Sequence, residues 1–193
     1  RFSLVLKGDV TLKNGTYKGP TSDLNDTRGI VSYGNLTIEK MVIEAKGLNV
    51  CQYGGEKAVD ISGSTISGSY AVCTFNDKIT VDINGSKLTG TVCGLYHNGS
   101  YYGYEATVSN TTISGSDDGI YVSGSTTTTS NNGGKNQQLI LNNCKITGGT
   151  GVEGKFTDIT LNDCEVISTA NVASFVQYNN GSTTAGFAVV STD

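Results

Sequence analysis

The sequence predicts an all-β solenoid of about seven coils with three short strands per coil. Three observations predict it. A short apolar pattern recurs seven times: VTLKNGTYKG from Val10, LTIEKMVIEA from Leu36, VDISGSTISG from Val59, VDINGSKLTG from Val81, ATVSNTTISG from Ala106, LILNNCKITG from Leu139 and ITLNDCEVIS from Ile159. The copies start again every 20 to 33 residues, too short a unit to bury a core alone, so they must stack. Within each copy, apolar residues alternate with polar ones, which is strand rather than helix periodicity.

Each coil is read in the same order. The first strand carries a central apolar anchor (Leu12, Ile38, Ile61, Ile83, Val108, Leu141, Leu161) and a second apolar residue two places earlier. Both point to one face, because successive strand side chains alternate. Two places after the anchor stand Asn14, Lys40, Gly63, Gly85, Asn110, Asn143 and Asp163. All but Lys40 are types that tolerate positive φ, so this column reads as a tight bend. A mostly small residue follows: Gly15, Met41, Ser64, Ser86, Thr111, Cys144, Cys164. The second strand then offers Tyr17, Ile43, Ile66, Leu88, Ile113, Ile146 and Val166 to the core and ends on a column of glycine or small residues. The third strand is read in GIVSY from Gly29, LNVCQY from Leu48, YAVCTF from Tyr70, TVCGLY from Thr91 and GIYV from Gly119. Coils that all wind the same way pair their strands in parallel, about 4.8 Å apart. The longest insertion, Ser123 to Gln138, is polar and reads as a protruding loop.

Taken together, these rungs, with DDGIYV followed by LILNNCKITG as the plainest example, resemble the right-handed parallel β-helix of the pectate-lyase-like superfamily along nearly the whole chain. The resemblance implies the right-handed fold and a bacterial surface or secreted protein. It leaves the activity open, because enzymes, adhesins and phage tailspikes share this scaffold. Residues 1–193 read as a single domain, compatible with excision from a longer multidomain surface protein.

Composition narrows the partners. The chain has 26 glycines, one proline, no tryptophan and 16% charged residues, with a net charge of −4. An acidic balance argues against nucleic acid, whose binding draws most of its affinity from basic residues. No apolar run approaches the length of a membrane-spanning helix. The five cysteines fall on the repeat, with Cys144 and Cys164 equivalent, Cys51 and Cys73 nearly so, and Cys93 close by. Stacked residues are within disulfide range, but parallel side chains favour a ladder of buried free thiols.

Candidate chemistry is sparse. A polysaccharide lyase needs a Lys or Arg base beside a carboxylate-held cation, and a glycoside hydrolase needs convergent carboxylates. Asp117 and Asp118, opening the DDGI rung, read as an ordinary turn into a strand and are also the acidic pair that the resemblance offers for such a site. The family's His-Gly pair and Arg-x-Lys triplet have no counterpart: the sole histidine, His97, precedes Asn98, and the arginines are Arg1 and Arg28. Asp60 and Asp82 stand one place before their anchors and stack outward in adjacent coils, a weaker candidate for a Ca²⁺ site. The densest aromatic stretch runs from Tyr96 to Tyr104, and His97, Tyr101, Tyr102 and Tyr104 are the expected ligand contacts, since loop tyrosines make flat amphipathic surfaces. Tyr33, Tyr53, Phe75 and Tyr178 end strands at comparable places and read, with Tyr96, as cover for the core.

The expected function is a non-catalytic extracellular binding or adhesion module for a glycan or a host surface protein, requiring no cofactor. The alternatives are a lyase or hydrolase acting on acidic polysaccharide, and a structural spacer.

Overall fold

The structure, a computed structural model, describes residues 2–20, 28–53, 56–75, 78–99, 103–124, 137–170, 173–179, 182–186 and 189–190. The described residues form twenty strands and no helix. They wind into a parallel β-solenoid of about six turns, close to the seven coils expected.

The registers reproduce the repeat alignment. Leu12, Ile38, Ile61, Ile83, Val108, Leu141 and Leu161 lie opposite one another through successive coils of the first sheet. Tyr17, Ile43, Ile66, Leu88, Ile113, Ile146 and Val166 do the same in the second. In the third sheet the matching inward column is Leu4, Ile30, Val50, Val72, Leu95, Ile120, Val152 and Phe175. These three columns meet in one continuous core in which most of the aliphatic side chains are fully buried.

Every residue of the bend column has positive φ, from 50° to 60°. Lys40 joins the others at φ 51°, so stacking between neighbouring coils overrides its poor preference for that conformation. The small-residue column has a hydrogen-bonding reason. Ser64 Oγ accepts the Met41 amide at 3.0 Å, Ser86 Oγ accepts the Ser64 amide at 3.1 Å, and Thr111 Oγ1 accepts the Ser86 amide at 3.3 Å. Each hydroxyl thus satisfies the buried N–H that the bend leaves over in the coil before. Asparagine side chains continue the support outside, Asn110 to Asn84 at 3.0 Å and Asn143 to Asn110 at 2.8 Å.

Between the second and third sheets the chain turns so tightly that backbone occupies the space a side chain would need. A Cβ on Gly115 would collide with the Asp118 carbonyl oxygen. At the carboxyl end the parallel winding stops: Phe175–Asn179 pairs antiparallel with Ser182–Gly186, and Cys164–Glu165 with Val189–Val190. At the other end Leu4, Leu6, Leu12 and Tyr17 are only partly covered.

Candidate functional site

The third sheet differs from the other two on its outer face. Its strands Arg28–Ser32, Leu48–Tyr53, Thr65–Phe75, Lys87–Asn98 and Asp118–Ser123 place Val31, Cys51, Cys73, Tyr96 and Tyr121 in one outward column. Outward residues of a solenoid meet water, yet Val31, Cys51 and Cys73 are fully buried. Tyr53, Tyr70, Phe75 and Tyr96 lie across them and form a second, smaller apolar cluster outside the main core.

Those rings join into a ladder that crosses five coils. Tyr33 and Tyr53 have centroids 6.0 Å apart, Tyr53 stacks on Phe75 at 4.9 Å, Phe75 tilts against Tyr96 at 6.0 Å, and Tyr96 stacks on Tyr121 at 5.3 Å. Tyr70 meets Tyr96 edge-on at 5.1 Å. The ring spacing follows the coil spacing, because each ring is carried by a different rung. Tyr33 is the most open, with 45% of its surface exposed. Burial pushes the Tyr53, Tyr70 and Tyr96 hydroxyls upward, so these phenols stay neutral at physiological pH.

Cations sit on the ladder. The Arg28 guanidinium lies 5.2 Å over Tyr53, and Lys155 Nζ lies 5.2 Å over Tyr121. Lys155 also donates to the Tyr121 hydroxyl at 3.1 Å and pairs with Glu153 at 3.4 Å. Asp118 completes this charged end. Burial, then the charges of Glu153 and Asp117, raise its carboxyl to about 6, with Lys155 pulling the other way. Beside Tyr70, the turn into the third sheet opens a depression of about 450 Å³ with the hydroxyls of Ser67, Ser69, Thr89 and Thr91 on its wall.

The structure distributes the sequence-predicted residues differently from expectation. His97 and Tyr104 do not reach the surface; both are fully buried, with rings stacked 4.0 Å apart. The reason is parity. His97 lies two places beyond the inward Leu95, in the interior column Ser32, Gln52, Thr74, His97. Tyr104 lies two before the inward Ala106. His97 Nδ1 bonds Thr74 Oγ1 at 2.8 Å, and burial lowers the imidazole to about 3, leaving it neutral. As surface contacts, these two are corrected to core. Tyr101 and Tyr102 lie outside the described residues.

Asp60 and Asp82 do lie opposite one another, exposed, in adjacent coils. Partial burial and the Asp82 charge raise the Asp60 carboxyl. Among the described residues, no group of three or more His, Cys, Asp or Glu is placed to hold a metal, so this pair gains no third acidic ligand. Asp117 and Asp118 stand beside the aromatic ladder, with Asp118 opening the strand that carries Tyr121. All five cysteines are free and buried.

The ladder residues were visible in the sequence only as strand ends. Recurrence of Tyr or Phe near the end of the third strand in Tyr33, Tyr53, Phe75 and Tyr96 was the available signal. Compared with known proteins, the chain matches no family model, no curated protein and no solved structure.

Proposed function

We propose that this chain is a non-catalytic binding module of the parallel β-helix type, secreted or displayed at a bacterial surface, that takes a glycan on the outer face of its third sheet. The single observation that carries this reading is the aromatic ladder from Tyr33 to Tyr121. A ring contributes apolar body and polar edge together, which suits the mixed apolar and hydroxylated surface of a sugar. The ladder is held by strands on a rigid sheet, so little conformational entropy is lost when a ligand orders it. Its rungs run along the solenoid axis, matching an extended polymer better than a compact ligand. A host protein segment is the other occupant such a face accepts.

The test is retention on immobilised neutral and acidic polysaccharides, with calcium and with chelator, read also for shortened chains. Retention that Tyr33→Ala and Tyr121→Ala weaken together, with no shortening, supports the module. Retention unchanged in both variants removes the ladder from the site. A second reading, hydrolysis or elimination on an acidic polysaccharide, is favoured by one observation: Asp118 has a carboxyl raised to about 6 beside Glu153. A carboxyl poised near neutral pH is what a general acid requires. Shortened chains that disappear in Asp118→Asn would select that reading.

A further inference from the structure

We propose that Cys144 and Cys164 form a thiol pair that a low-molecular-weight disulfide closes, reversibly, into a cross-coil disulfide in the folded protein. The two residues occupy the same place in successive coils, each directly after a bend residue of positive φ, Asn143 at 50° and Asp163 at 52°. Their neighbours Lys145 and Glu165 are in parallel register. Cα atoms one strand spacing apart fall inside the range a disulfide spans. Each sulfur donates to backbone carbonyls, Cys144 to Val108 and Asn142 at 3.3 Å and Cys164 to Leu141 at 3.3 Å and Asn162 at 3.2 Å. The closeness of the two thiols pushes Cys144 above and Cys164 below the ordinary thiol range.

Position separates this pair from the others. Cys51 and Cys73 are also stacked, with sulfurs 3.4 Å apart, but they stand in mid-strand. Ladder hydrogen bonds on both sides hold their side chains parallel, and the Tyr53, Phe75 and Tyr96 rings seal them from solvent. Cys144 lies between strands Gln137–Asn142 and Lys145–Gly148, and Cys164 is the first residue of Cys164–Ser168. A bend has more freedom to tilt two side chains together than a strand centre. Cys144, itself only 3% exposed, lines a depression of about 270 Å³, with Asn143, Lys145, Thr112 and Glu165 around it, which gives a small reagent an approach to the pair.

The step balances as ordinary thiol–disulfide exchange. A protein thiolate attacks the oxidant's S–S bond, forming a mixed disulfide and releasing one oxidant sulfur as a thiol. The second protein sulfur attacks the first, releasing the other oxidant sulfur. Two protein S–H groups lose two protons and two electrons and become one S–S bond; the oxidant gains them and becomes two thiols.

The test uses the folded full chain and oxidised glutathione, followed by alkylation of the remaining thiols, digestion and mass spectrometry. The expected product is a Cys144–Cys164 linked peptide pair, about 2 Da lighter than its reduced parts. Cys51, Cys73 and Cys93 should be alkylated only after denaturation, and dithiothreitol should restore the starting mass. Cys144→Ser and Cys164→Ser should each stop the reaction at a glutathione adduct on the remaining thiol. A native protein that keeps both thiols, or stalls at a mixed disulfide, overturns the proposal. So does equal linkage of Cys51 to Cys73, since access and bend freedom would then have no role.

Discussion

Acid stability offers a direct measure of how the interior treats its one imidazole. His97 is fully buried, with Nδ1 on Thr74 and one face on Tyr104. Burial lowers it from 6.5 to about 3. In the unfolded chain it takes up a proton below about 6.5. The folded chain therefore binds fewer protons than the unfolded one between those values, and stability must fall as pH falls. Between pH 6.5 and pH 4 the loss accumulates to about 3 kcal/mol, at about 1.4 kcal/mol per pH unit. Asp118 acts with the opposite sign: its raised carboxyl gives stability as pH falls through about 6, which offsets part of the loss. A difference measurement isolates the histidine. The perturbation is His97→Gln, because Gln52 already stands in the same interior column. Urea unfolding followed by tyrosine emission, at pH 7 and pH 4, should show wild type losing about 3 kcal/mol more than the variant. Equal losses in the two proteins would refute the argument. The acid response would then belong to the carboxylates, and His97 would not be held neutral by burial.

Four further outcomes follow from the same geometry. Gly115→Ala, which places a Cβ on the Asp118 carbonyl, should destabilise by about 1–3 kcal/mol. Gly85→Asn should be nearly neutral in the same denaturation assay, since Gly85 faces open space at φ 60° and Asn110 adopts the same conformation one coil on. Ser86→Ala should cost about 1–3 kcal/mol by thermal unfolding, because the buried Ser64 amide loses its acceptor. Asp60→Asn should raise the melting temperature slightly at low salt and leave it unchanged at high salt, as relief of a screened surface repulsion between Asp60 and Asp82 requires.

Much of this fold was legible because a solenoid makes sequence position and spatial position nearly the same thing. Once two coils share a register, residues one repeat apart must touch. That is why Ile61 and Ile83 could be placed opposite one another from spacing alone, and why the bend column was read down to Lys40. Local alternation also contained the correct place for His97 and Tyr104. Density of aromatic residues between Tyr96 and Tyr104 drew them to the surface instead, although the parity of Leu95 and Ala106 puts both inside. The ladder was harder to see. Tyr33, Tyr53 and Phe75 follow one column, but the path then shifts two residues along the strand, from Phe75 to Tyr96, opposite Cys73. A shift of that kind has no signature in a column-by-column alignment.

By itself the sequence determined the all-β class, the coil as the repeating unit, the inward and outward residues of the first two sheets, and the bend between those two sheets, though not the positive φ of Phe156 between the third sheet and the first. Each depends on short-range alternation, on residues that tolerate positive φ, or on a register that repeats. Only the tertiary structure decided that outward residues of the third sheet form an apolar cluster of their own. The same is true of the continuous path of the rings, and of Lys155, Glu153 and Asp118 converging where that path ends. Those facts depend on the directions side chains take once neighbouring coils crowd them. Ring packing, burial of a carboxyl and the approach of a lysine to a phenol are set by three-dimensional neighbours, and no period in the chain encodes them.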